Sequence, residues 1–113
     1  MQRNSKRVAL SAVLSCSIVL LISSAQLRAE DDAGKIYKTN CVLCHSANGS
    51  GDSPTGKAMK AKDLHSDDVQ KSSDSDLAGI ITNGKGKMPA FGKKLSPDAI
   101  KSLVAYIRAL PKS

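Results

Sequence analysis

The chain has 113 residues, with 17 Lys and Arg against 10 Asp and Glu, three Cys, two Tyr, one Phe and no Trp. This length bounds it to one domain. Four of the basic residues (Arg3, Lys6, Arg7 and Arg28) and none of the acids lie in the first 29 positions, so residues 30–113 carry only 13 basic against 10 acidic groups, without the dense basic face or aromatic platform of a nucleic-acid binder.

The first segment reads as an export signal over residues 1–29. Residues 1–7 are basic, residues 8–27 carry no charge, and the apolar run is densest at Ser17–Ile22. Small residues follow at Ser23, Ser24 and Ala25, then Ala29 directly before Glu30-Asp31-Asp32. Cleavage after Ala25 or Ala29 fits this pattern, and the abrupt composition change favours Ala29. An uncleaved membrane anchor over residues 8–27 is the alternative, weakened by five serines between Ser11 and Ser24. Cys16 falls too early in the apolar run for a lipid-attachment site and reads as an apolar residue.

Residues 30–113 form the second unit, and its regular signals are helical. There is no internal repeat, and no alternating β-branched run long enough for a sheet. From Asp31, the spacing of Ala33, Ile36, Tyr37, Cys41 and Cys44 predicts a helix with acids at its favourable end. Residues 46–57 (SANGSGDSPTGK) read as a loop. The stretch Ala58–Lys71 is weakly patterned, with a short helix starting at Ser66-Asp67-Asp68-Val69. A clearer helix runs from about Asp74, with Leu77, Ile80 and Ile81 on one face and Asn83-Gly84 as its stop. Residues 84–95 (GKGKMPAFGKKL) read as an extended basic loop. The last helix is capped by Ser96, opened by Pro97, and lined by Ile100, Leu103, Val104, Ile107 and Leu110.

The apolar content is thin: only 30 of the last 84 residues are apolar. A domain this small with so little core usually has a disulfide, a metal or another staple, so something other than side chains is expected at its centre. Cys41-Val42-Leu43-Cys44-His45 supplies a candidate. Two thiols separated by two residues can form thioethers with both vinyl groups of one haem, and the adjoining His then lies under the macrocycle with a ring nitrogen aimed at iron. These are the only cysteines outside the leader, and export suits haem attachment. Two other readings stay open. A thioredoxin-type dithiol expects a βαβ setting that the helical surroundings lack. Half of a zinc site needs a fourth ligand, for which His65 is the only other histidine.

A helix leading into CVLCH, then NGKGKMPAF, then the amphipathic LVAYIRAL together resemble class I cytochrome c of the small soluble bacterial kind, over essentially all of residues 30–113. The resemblance implies an all-α fold, a small bundle of about four helices wrapped around one covalently attached haem c. It implies that Cys41 and Cys44 hold the haem, that His45 is the proximal iron ligand and that Met88 is the distal one. Gly34 and Tyr37 match the family's first helix and Tyr106 its last, where those helices cross closely. Pro54 is implied as the residue whose carbonyl accepts the proton of the proximal His. The implied function is one-electron shuttling between periplasmic or membrane redox partners, not enzymatic turnover.

The residues themselves also favour Met88. A thioether is a soft, neutral ligand suited to a non-exchanging site. Pro89 restricts the backbone at Met88 within a loop loosened by Gly84, Gly86 and Gly92. The rival Met59 reads as a helix-packing residue. The rival His65 would lower the potential relative to Met, but its neighbours Asp63, Ser66, Asp67 and Asp68 place it at the surface. Ile36, Leu64, Leu77, Ile80, Ile81, Phe91, Leu95, Ile100 and Val104 are the expected wall of the haem crevice. Lys85, Lys87, Lys93 and Lys94 surround Met88 and suit either acidic redox partners or plain solubility. The alternatives are an anchored haem subunit of a respiratory complex, in contact with the membrane only if residues 8–27 persist, and a haem enzyme or sensor with an open distal site.

Overall fold

The computed structural model describes residues 32–112; the leader and its cleavage or anchoring lie outside the described residues. Helix α1 covers residues 32–40 and buries Ala33 and Tyr37, which are four apart and so share one face. The backbone turns at Cys41 (φ −116°), and α2 follows at Val42–His45, stopped by Ser46 in the left-handed region (φ 64°). The continuous helix expected from Asp31 to the end of CVLCH is therefore two segments. Its last turn is rebuilt by the His45 and Cys44 amides, which both donate to Cys41 O, at 2.9 and 3.2 Å.

Helix α3, Pro54–Met59, corrects the expected loop over 46–57. Ser53 caps it, its hydroxyl accepting from Gly56 N at 2.9 Å, and Pro54 fixes the first helical φ. The capping signal is in the sequence, but six residues containing a glycine carry no apolar period to support it. Helix α4, Asp67–Gln70, has Asp67 and Asp68 in its first turn. Helix α5, Asp74–Asn83, is capped by Ser73 and ends at Gly84 (φ 76°). Helix α6, Pro97–Ala109, is capped by Ser96 and buries Ile100, Leu103, Val104 and Ile107. The described residues are thus helical with turns between, apart from one isolated bridge pairing Lys85 with Met88. No helix among them is long and apolar enough to cross a membrane.

The core is one cluster in which Leu77 and Ile81 of α5 meet the buried face of α6, with Tyr37, Leu64, Val69 and Leu110 closing it. Helix α1 crosses α6 where Gly34 lies against Tyr106: a Cβ on Gly34 would stand 3.4 Å from that ring. The Tyr37 and Tyr106 rings pack at a centroid distance of 5.4 Å, tilted by 46°. The close crossing implied by the family resemblance is present at those three residues. Of the expected crevice wall, Leu64, Leu77, Ile81, Ile100 and Val104 are buried. Ile36, Phe91 and Leu95 are half-buried against the cluster, and Ile80 is half-buried.

Arg108, in the last turn of α6, holds the α4–α5 corner. Its guanidinium donates to Val69 O (3.1 Å), Gln70 O (3.0 Å) and Ser72 O (2.6 Å), and reaches Asp74 at 2.9 Å. Those carbonyls lie at and just beyond the end of a four-residue helix, where Val69 O also accepts from Ser72 N at 3.2 Å. The Asp74 contact adds little because that carboxylate is 77% exposed. Arg108→Ala is expected to lower the unfolding free energy by about 2 kcal/mol in urea titration. Arg108→Lys is expected to restore less than half, because one ammonium cannot span the fork.

Candidate functional site

The site is assembled around the turn 41–46. Cys41 and Cys44 are free thiols, both half-buried, and Leu43 between them is 71% exposed. Burial, and then the charge of Cys44, push the Cys41 thiol up to about 11, so this sulfur is a neutral thiol at neutral pH. Tyr37, 1% exposed, reaches under the turn and donates its hydroxyl to Ser46 O at 2.8 Å. Burial, followed by the charges of Cys41 and Tyr106, pushes this phenol well above its ordinary range, so it keeps the proton that it donates.

His45 is half-buried, and its Nδ1 lies 3.0 Å from Lys62 O. A carbonyl only accepts, so Nδ1 is the protonated nitrogen and Nε2 carries the free lone pair. The acceptor is thus Lys62 and not Pro54, whose place as first residue of α3 puts it in the helix that packs on α2. The loop between is tied internally: the Ser46 hydroxyl donates to Asp52 at 2.7 Å and accepts from Ser53 N at 3.1 Å.

Met88 is half-buried and packs on the same cluster as Cys41, Val42 and Phe91. Its loop is tighter than the extended segment expected. Lys85 and Met88 exchange backbone hydrogen bonds at 3.1 and 3.0 Å around Gly86 (φ 57°), and Phe91 N and Gly92 N donate to Ile81 O and Thr82 O of α5. Met59 closes α3 and is 41% exposed; Lys87 Nζ, beside Met88, reaches Ala58 O, beside Met59, at 3.5 Å. His65 departs from the surface position expected. It is half-buried, and its Nε2 lies 2.6 Å from Asn48 O, so that nitrogen is engaged with the loop after the motif. Lys85, Lys87, Lys93 and Lys94 are exposed, and Lys94 Nζ donates to Asn40 Oδ1 at 2.7 Å, beside Cys41.

These residues fit a covalently held haem. Two free thiols stand three positions apart, the adjoining imidazole presents its unprotonated nitrogen, and a neutral thioether packs on the same cluster as Cys41. The comparisons with known proteins identify the family. The sequence profile of the family described as "Cytochrome C oxidase, cbb3-type, subunit III" matches residues 28–107. Cytochrome c6 of Gloeothece citriformis is 40% identical over 84 residues, covering 67% of this chain and 69% of its own. The cbb3-type cytochrome c oxidase subunit FixP of Azorhizobium caulinodans is 35% identical over 77 residues, but the match spans only 25% of that subunit. Among solved structures, the KustC0563 c-type cytochrome superposes with a TM-score of 0.64 at 29% identity, over 71% of this chain and 98% of that one. The chain belongs to the cytochrome c family, as a small class I-like member. It is a one-electron carrier with covalently bound haem c.

Sequence reasoning missed Gly56, which sets how closely α3 approaches the motif. A Cβ there would collide with Cys44 O. Alanine gains about 1 kcal/mol over glycine in a helix by propensity, whereas forcing a methyl against a fixed carbonyl costs about 1–3 kcal/mol. The collision wins here because that carbonyl belongs to the haem-attachment turn. Gly56→Ala is expected to lower both the yield of haem-attached protein and its urea midpoint, read by absorbance and denaturation of the purified protein.

Proposed function

We propose that the chain is an exported carrier in which Cys41 and Cys44 hold the haem, His45 and Met88 are its axial ligands, and the lysines near Met88 meet acidic surfaces on redox protein partners. The observation that carries the ligand reading is the 3.0 Å contact between His45 Nδ1 and Lys62 O, which leaves Nε2 as the lone-pair donor. For Met88, support comes from its packing on the cluster that Cys41 joins and from the double hydrogen bond that fixes its turn. Met59 is the weaker donor at 41% exposure, and His65 has its Nε2 engaged with Asn48.

Bound haem supplies one-electron exchange between ferric and ferrous iron. The chain's part is to hold it still and keep it dry. Ile81, Ile100 and Val104 are buried in the cluster against which Cys41 and Met88 pack, and a haem held there would be kept from solvent that reorganises when the charge changes. With His45 and Met88 both holding the iron, no position would be left for substrate, which would separate the carrier from an enzyme. The exported location rests on the basic, apolar and small-residue order of residues 1–29.

Absorption spectra of the haem-attached protein test the ligands. The ferric protein is expected to show the weak Met–iron charge-transfer band in the near infrared, and Met88→Ala is expected to abolish it while haem stays attached; a band that survives returns the role to Met59. Electron-transfer rates with an acidic partner are expected to fall by about tenfold or more from low to high ionic strength. Rates that ignore salt would remove the steering role of the lysines.

A further inference from the structure

We propose that His65 is a positioning residue for the haem iron, acting through the segment 61–65 whose Lys62 carbonyl accepts the His45 Nδ1–H. The proposal rests on the reading of His45 as the proximal ligand. His45 lies on α2, while Lys62 lies in an irregular segment 17 residues further on, so nothing local to the motif determines where that carbonyl points. Besides the Ala61 amide, which donates to Gly56 O of α3 at 2.8 Å, its position is set by contacts with the loop that follows the motif.

Three contacts do this. Leu64 N donates to Gly49 O at 2.8 Å. His65 Nε2 donates to Asn48 O at 2.6 Å, the shorter of the two. Gly51, with φ 70°, lets the loop pass so close to the segment that a Cβ would stand 2.9 Å from Ala61 O and 3.2 Å from Lys62 O. The segment is also stiffened from within. Asp63 Oδ1 accepts from His65 N at 2.8 Å, and Ser66 N donates to Asp63 O at 3.1 Å. Gln70 Nε2 reaches back to Leu64 O at 2.7 Å. Gly51 N itself donates to His45 O at 2.9 Å, so the loop is anchored to the ligand residue at one side and to the acceptor segment at the other.

The consequence is electronic as well as mechanical. A proximal imidazole whose N–H is held on a well-placed carbonyl is a more basic ligand, and a more basic ligand favours ferric iron. Freeing the Lys62 carbonyl therefore raises the reduction potential. A histidine that served only as a fold anchor would lower stability and leave the potential where it was.

The experiment uses haem-attached protein labelled with 15N-histidine, which has only two histidines to assign. In the ferric wild type the His45 ring signals are expected to be displaced by the iron and those of His65 are not; a wild type with neither displaced removes the proximal-ligand reading and this proposal with it. In His65→Leu the potential is expected to rise, and the His45 Nδ1–H to exchange with solvent about tenfold faster or more. His65→Gln, whose amide can still donate toward Asn48 O, is expected to restore both. Gly51→Ala, which presses on the Ala61 and Lys62 carbonyls without touching His65, is expected to shift both in the same direction as His65→Leu. If His45 keeps its displaced signals but neither His65→Leu nor Gly51→Ala moves the potential or the exchange, His65 is an anchor of the fold alone and the proposal is overturned.

Discussion

The described chain depends on how the turn 41–46 is gripped by segments that are distant in sequence. Tyr37 holds it from α1 through the hydroxyl on Ser46 O, α3 presses on it where Gly56 faces the Cys44 carbonyl, and Lys62 O receives the His45 ring. A four-residue helix cannot keep its shape alone, since nucleating so short a helix costs more than its few hydrogen bonds return. The three contacts replace that missing cooperativity. They also orient the chemistry: two thiols and one imidazole nitrogen are useful only when their directions are fixed relative to each other.

Packing explains why so few apolar residues suffice. The buried cluster is built largely from α5 and α6, with Tyr37 reaching in from α1. Beside it, Cys41, Val42, Met88 and Phe91 are only half-buried. The core thus ends in a half-buried apolar rim packed against it, as expected of a fold completed by a large planar group. The shortage of apolar residues in the composition and the half-buried wall in the structure are the same fact at two levels.

Charge is divided by task. The acids at Asp67, Asp68, Asp74 and Asp76 occupy the first turns of α4 and α5, where helix dipoles favour them. Arg108 joins the two helices by donating to Val69 O and Gln70 O of α4, to Ser72 O between them and to the Asp74 carboxylate of α5. The lysines of the Met88 loop are exposed, yet Lys94 also fastens that loop to Asn40, the residue before Cys41. Of the four lysines around Met88, Lys94 is therefore part of the link between the segments bearing Cys41 and Met88, Lys87 reaches Ala58 O of α3, and Lys85 and Lys93 are left exposed for a partner.

The sequence by itself determined what depends on neighbours a few residues apart. The helices at Asp74–Asn83 and Pro97–Ala109, their serine caps, and the spacing of Cys41, Cys44 and His45 all follow from local rules, because a helix turn and a dithiol pair both have fixed short periods. The family resemblance added the Gly34–Tyr106 crossing. Helix α3 escaped because its Ser-Pro cap stands without an apolar stripe, and the break at Cys41 because the period continues across it. What only the tertiary structure decided are the contacts in which one partner is a backbone carbonyl: Lys62 rather than Pro54 beneath His45, Asn48 on His65, and the three carbonyls under Arg108. Every residue carries the same carbonyl, so no side-chain pattern marks the one that will accept; its direction exists only once distant segments have been packed together.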